Sequence, residues 1–349
     1  MMSKYKSLRS ERAGFSVLVE KKTVWITLIL LILCAAVMVI STGLGSKWIS
    51  PMSVIKVLMG EGEPMHQVIV EKLRLPRVIT AVLVGASLAV AGAVLQGIIR
   101  NPLASPDVAG ITEGASFGAV LFIFLFGGTV PIHWMPLASI LGAIVVTGLL
   151  YVLSWKKGVD PLKLVLIGIG LSAAIKSVSY MLIIAGPMQL AERSLTFMTG
   201  SIYGVSMDKD VLTLLPWTAV LLGLTWLQAR SVNIQALGDD VAQSAGARVQ
   251  RQRLVLIALS VALAGAAVAI GGAIAFIGLM APHMARKLVG SSFGSVLPVS
   301  ALLGALILLL ADLAARTLFL PRDVPAGVLT AAIGAPFFMY LLYRNRNRN

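Results

Sequence analysis

Cysteine and histidine are nearly absent from this 349-residue chain, with one of the first and three of the second. A single thiol, Cys34, excludes an intramolecular disulfide framework and leaves the redox compartment open. His66, His133 and His283 lie far apart and lack the spacing of a metal-ligand set. Acids are scarce too: fifteen Asp and Glu stand against 29 Lys and Arg, a net charge of +14. Motifs for chemistry are also missing. The chain has no G-x-x-x-x-G-K-[ST] phosphate loop, no H-E-x-x-H and no G-x-G-x-x-G dinucleotide fingerprint. Nothing here points to an enzyme: no catalytic residue, cofactor or metal ligand is expected.

What fills the chain is apolar: 58% of residues are hydrophobic and 13% charged. Apolar stretches of 18 or more residues recur along its length, each long enough to cross the ~30 Å hydrocarbon core of a bilayer as a helix. The expected class is an all-α polytopic membrane protein. Ten spans are placed near 24–44, 77–99, 108–128, 135–155, 162–185, 211–229, 254–271, 273–289, 297–315 and 324–343. The first follows a basic N-terminus, yet its apolar run exceeds a signal-peptide core and no clear cleavage site follows, so it reads as a retained span. Within 254–289, "AIGGAIAFIG" reads either as a tight turn between two spans or as a break in one longer element.

Ten spans put both termini on one side. If that side is cytoplasmic, 19 Lys and Arg fall inside and 9 outside, as the positive-inside bias requires. The net charge then belongs to cytoplasmic loops, and nucleic acid is not an expected partner. The layout is a basic cytoplasmic N-terminus at 1–23, a transmembrane domain at 24–343 in contact with lipid, and a short cytoplasmic tail at 344–349. Small residues recur four apart at Gly85, Ala89, Ala93 and Gly97, at Ala267, Gly271 and Ala275, and at Gly327, Ala331 and Ala335. Such ladders let helix backbones approach closely in lipid, and they describe a compact bundle.

Polar segments interrupt this pattern. In "RNPLASPD", after the second span, two prolines within five residues preclude a continuing helix. The break suits either a simple interfacial turn or part of a pathway, since irregular backbone at membrane depth must be buried in protein or face water. "GGAIAFIGLMAPHMARKLVG" carries an Ala-Pro-His break. In "ADLAAR", Asp312 precedes Arg316 by four residues in the favourable acid-first order; Pro321 and Pro325 flank the outer loop beyond it. Intramembrane carboxylate relays, the mark of many ion-coupled carriers, are not evident. A third polar segment, "LGDDVAQSAGARVQRQR" at 237–253, is a charged, helix-like insert on the cytoplasmic side. Lys176 sits inside the fifth span, where it either snorkels or faces a pathway.

Six stretches together resemble the FecCD family, the membrane permeases of bacterial ABC importers for iron(III)-siderophores, with the vitamin B12 importer permease as a relative. They are "LRLPR", "AGAVLQGIIRNPLASPDVAGIT", "NIQALGDDVAQSAG", "GAIAFIGLMAPHMARKLVG", "LLLADLAARTL" and "GVLTAAIGAPFF". The resemblance covers residues 25–342 and implies a B12-permease-like bundle in the bacterial cytoplasmic membrane. Its partners would be a cytosolic ABC ATPase dimer, an extracytoplasmic siderophore-binding protein, and a second permease copy or a homologous sister. It implies an ATPase-coupling role for Leu237, Gly238, Asp239, Asp240, Ala242, Ser244 and Gly246. It assigns binding-protein docking to Arg74, Arg77 and Arg316, expected as exposed arginines with Arg74 and Arg77 on one helical face. An inner gate falls on Asn101, Pro102 and Leu103. Lys176, as a possible pathway residue, has no counterpart in the family pattern. Cobalamin and haem remain alternative cargoes, and an ion-coupled secondary transporter remains the competing class.

Overall fold

The computed structural model describes residues 5–10, 15–45, 47–127, 129–154, 161–320 and 322–345. A short antiparallel ribbon, Tyr5–Ser10 with Phe15–Glu20, precedes the helices. Helix α1 (Lys21–Gly43) crosses outward. On the outer side α2 (Pro51–Leu58) and α3 (Pro64–Gln67) lead through a π-helical stretch, Val68–Arg74, into α4 (Leu75–Ile99). Next come α5 (Ile111–Phe126), α6 (Met135–Ser154), α7 (Pro161–Ala185), the outer helix α8 (Met188–Met198) and α9 (Leu212–Leu227). The inner insert holds α10 (Ala229–Ala236) and α11 (Asp239–Ser244). Four helices close the bundle: α12 (Val249–Gly271), α13 (Ile277–Val289), α14 (Phe293–Leu318) and α15 (Ala326–Asn345).

Among the described residues, eight helices are long and apolar enough to cross a membrane. With the shorter α5 and α13 they make the ten expected spans. The last residues of the expected tail, 346–349, and Pro321 of the expected outer loop lie outside the described residues.

Helix α4 is the axis, packed against α12, α13 and α14, with 83% of its apolar stretch buried. Small residues make that possible. A β-carbon at Gly85 would collide with the backbone of Gly304, and one at Gly92 with the carbonyl of Gly278. The ladder on α4 thus marks real helix crossings, although Gly92, outside the ladder, makes the tightest. Hydroxyls add cross-helix bonds: Ser260 donates to the Ala91 carbonyl at 2.9 Å and Ser139 to that of Ala115 at 2.9 Å. In bundles of this kind such bonds contribute about 0.6 kcal/mol each.

The "AIGGAIAFIG" segment is a true break between two helices. Helix α12 stops at Gly271; Gly272 takes φ +71° where a side chain would run into the Phe197 carbonyl. Phe276, φ +67°, then opens α13. The Ala-Pro-His break expected at 281–283 does not occur, because α13 runs through Pro282. Proline there leaves the Gly278 carbonyl without its helical donor. Gln96 of α4 supplies one: its amide donates to Gly278 O at 3.3 Å and Leu279 O at 3.4 Å.

Candidate coupling, gate and docking sites

On the inner side the charged insert folds into α10 and α11, joined at Gly238, whose φ of +108° suits glycine alone among common residues. Asp239 and Asp240 occupy the first turn of α11, where the helix dipole favours negative charge. Ser244 donates back to the Asp240 carbonyl, 2.9 Å. Ala242 is buried underneath, whereas Leu237 and Val241 are 68% and 52% exposed and form an apolar tip. Gly246, φ +80°, ends the segment.

Asp239 does more than sit at a helix start. It receives Arg253, at the foot of α12, at 2.8 and 2.9 Å, and Arg100, at the foot of α4, at 3.0 Å. Arg100 is the C-cap of α4 and holds a left-handed φ of 55°. The next residue is Asn101. One carboxylate therefore joins the insert to two core helices and to the start of the loop expected to gate. Arg100 is absent from the expected site residues; a basic residue at a helix C-terminus beside the gate stretch was its only trace in the sequence.

In that loop the Asn101 side-chain oxygen accepts the Leu103 N–H at 2.9 Å, and the Asn101 carbonyl accepts Ala104 N–H at 3.1 Å. These bonds lock a turn with Pro102 exposed at its tip and Leu103 half-buried. Beyond it the chain does not stay at the interface. Pro106 packs near Gly278, and Gly110 lies against Ser172 of α7. Asp107 accepts the Phe276 N–H at 3.0 Å, satisfying an orphan donor at the N-terminus of α13. Past the exposed turn the irregular backbone is buried in protein at residues 104–106 and 109–110, as such backbone within a bilayer must be.

The outer arginines differ from expectation. Arg74, Arg77 and Arg316 are not exposed: they are 7%, 8% and 8% accessible in this chain. Arg74 closes the π-helical stretch and donates to the carbonyls of Thr42 and Gly43 at the end of α1, 3.0 and 2.8 Å, and to Lys47 at 2.7 Å. Arg316 caps the same helix end through Ser41 and Leu44. Arg77 grips two carboxylates, Asp312 at 2.8–3.1 Å and Asp323 at 2.6–2.8 Å, and lies under the Tyr203 ring. Asp312 also faces Arg316, as its spacing foretold, but at 3.7 Å. The reason for burial is local: the free carbonyls ending α1 and two acids offer these guanidiniums more than water does. Asp323 had no sequence pattern to reveal it; its partner is 246 residues away.

These features define a polytopic helical permease, with a core of crossed helices, a charged cytoplasmic insert tied to them, and no nucleotide-binding motif. The chain belongs to the FecCD transport family, whose profile matches residues 28–344. It is 46% identical over 339 residues to the probable siderophore transport system permease protein YfhA of Bacillus subtilis, covering 95% of this chain and 98% of that protein. The Fe(3+)-citrate import system permease protein YfmE of the same organism is 41% identical, over 93% of this chain and 96% of its own. Among solved structures, an inward-facing metal-chelate type ABC transporter superposes with a TM-score of 0.78 at 32% identity, covering 92% of this chain and 99% of its own. The protein is thus a multi-pass protein of the bacterial cytoplasmic membrane.

Proposed function

We propose that this chain is the membrane subunit of an ATP-driven importer that carries iron(III)-siderophore complexes or kindred ferric chelates into the cell. Its relatives' cargoes support the substrate class. One observation supports the mechanism: Asp239 ties α11 to Arg100 and Arg253 at once. A separate cytosolic ATPase dimer seats on α11 and the apolar tip of Leu237 and Val241. Its movement passes through Asp239 to the feet of α4 and α12, and so to the turn of Asn101, Pro102 and Leu103, which closes the inner mouth against a second permease copy or a homologous sister.

An extracytoplasmic binding protein delivers the chelate to the outer rim. There Arg74, Arg77 and Arg316 are held inside the chain by carbonyls and by Asp312 and Asp323, so any docking role they have acts through the shape of the rim they fix. ATP hydrolysis belongs to the partner ATPase, not to this chain.

Asp239→Asn in the assembled importer tests the linkage. Uptake of iron(III) chelate is expected to fall about tenfold while ATP hydrolysis continues; unchanged uptake would contradict the coupling role. Deleting the gene and measuring uptake of labelled hydroxamate, catecholate and citrate iron chelates, haem and cobalamin tests the cargo. Loss of an iron chelate supports the reading, and loss of cobalamin or haem alone would move it.

A further inference from the structure

Lys176 is the eleventh residue of the 20-residue apolar stretch Leu166–Ala185, and its side chain is exposed. Facing hydrocarbon there, a lysine costs ~2.5–3.5 kcal/mol on insertion scales. Snorkelling does not relieve it: a lysine stem reaches roughly 6 Å, whereas either end of the stretch lies about 14 Å away at ~1.5 Å per residue.

A second charge sits at the same level. Helices α5 and α7 run in parallel, in a register that three contacts fix: Val108 beside Gly168, Gly110 beside Ser172, and Phe124 beside Gly186. An offset of about sixty residues puts Glu113, in the first turn of α5, within a turn of the level of Lys176. They do not neutralise each other by contact. Among the described residues neither side chain has an ion-pair partner within 4 Å or a hydrogen bond. The neighbouring acid, Asp107, is by contrast engaged with Phe276 N–H. A separated lysine and carboxylate in mid-membrane, one of them exposed, face a water-filled cavity or a partner subunit rather than lipid.

We infer that Lys176, with Glu113 behind it, forms an anion-selecting point on the wall of the translocation pathway, which engages the negative charge of a ferric chelate in passage. The role of Glu113 is to keep that engagement weak, since a pathway site must release what it admits. This inference rests on the importer reading above and assigns the charge of its cargo.

The test is uptake of labelled iron(III)-citrate, an anion, and of a cationic iron(III)-trihydroxamate by the complete importer in proteoliposomes. Lys176→Met is expected to lower iron(III)-citrate uptake about tenfold, a loss of ~1.4 kcal/mol, with cation uptake spared. Lys176→Arg should retain the activity, and Glu113→Gln should raise the ratio of anion to cation uptake. Where wild-type importer moves neither chelate, an anionic iron(III)-catecholate replaces citrate as the probe, and the importer reading itself fails only if that too is not moved. If it moves iron chelates but Lys176→Met is silent, or only the cationic chelate is carried, the reading stands and this inference is overturned. Equal loss of both substrates in Lys176→Met, unrescued by Lys176→Arg, would mark a structural role and overturn it too.

Discussion

Helices α1 and α7 are buried to the same small extent within the chain, 17% of each apolar stretch, yet they are built differently. From Val24 to Gly43, α1 carries no charge and shows Trp25, Ile29 and Ile32 outward. In α7 the exposed surface includes Lys176, Ser177 and Tyr180 among its apolar residues. Equal exposure in one chain therefore hides two environments. The surface of α1 is suited to lipid, and that of α7 is not, so α7 borders water or a partner subunit. Helix α4 shows the third case: 25 residues like α7, but sealed on nearly every side.

The sealed case should break hardest. Gly92→Leu forces a side chain into the Gly278 backbone and is expected to cost about 3 kcal/mol or more, read as loss of folded permease from the membrane. A same-size change at Gly170 of α7, which has nothing within 4 Å of an added β-carbon, should leave the amount of folded permease unchanged.

Charge sharpens the contrast next. Asp312 is fully buried between Arg77 and Arg316, and Asp312→Ala leaves Arg316 buried without an acid and Arg77 with Asp323 alone, at about 3 kcal/mol; a lowered melting temperature in detergent is the readout. Leu31→Asp on α1 should cost ~2.5–3.5 kcal/mol and reduce insertion, while Ala173→Asp on α7, one turn from Lys176, should change it by less than about 1 kcal/mol. Comparably small is Arg100→Gln. Its bond to Asp239 is largely exposed, so stability should move by no more than about 1 kcal/mol, whatever happens to transport.

Much of the architecture was legible from residue order. Apolar length placed ten spans, and small-residue spacing marked where α4 meets α14. Pro282 was misread because a proline announces a missing N–H but not the Gln96 amide that compensates for it from another helix. Both interior charge systems were only half visible. Asp312 and Arg316 share a helix and a known spacing, whereas Arg77 and Asp323 meet across 246 residues. Lys176 was conspicuous in its span; Glu113 looked like an ordinary span-end acid until contacts of Val108 and Gly110 with Gly168 and Ser172 set the start of α5 beside the middle of α7. The three outer arginines were read as exposed because no pattern reports where the carbonyls ending α1 will lie.

Cys34, the single cysteine, is buried, and its removal as Cys34→Ala opens the most direct test of the distinction between α1 and α7. Single cysteines at Ala173 and Tyr180 of α7, and at Ile29 and Ile32 of α1, would be treated with a membrane-impermeant, charged thiol reagent across the nucleotide cycle of the importer. Modification of both α7 positions in at least one nucleotide state, with both α1 positions inert throughout, is the predicted result. Protection of Ala173 and Tyr180 in every state, matching α1, would contradict a water-lined α7.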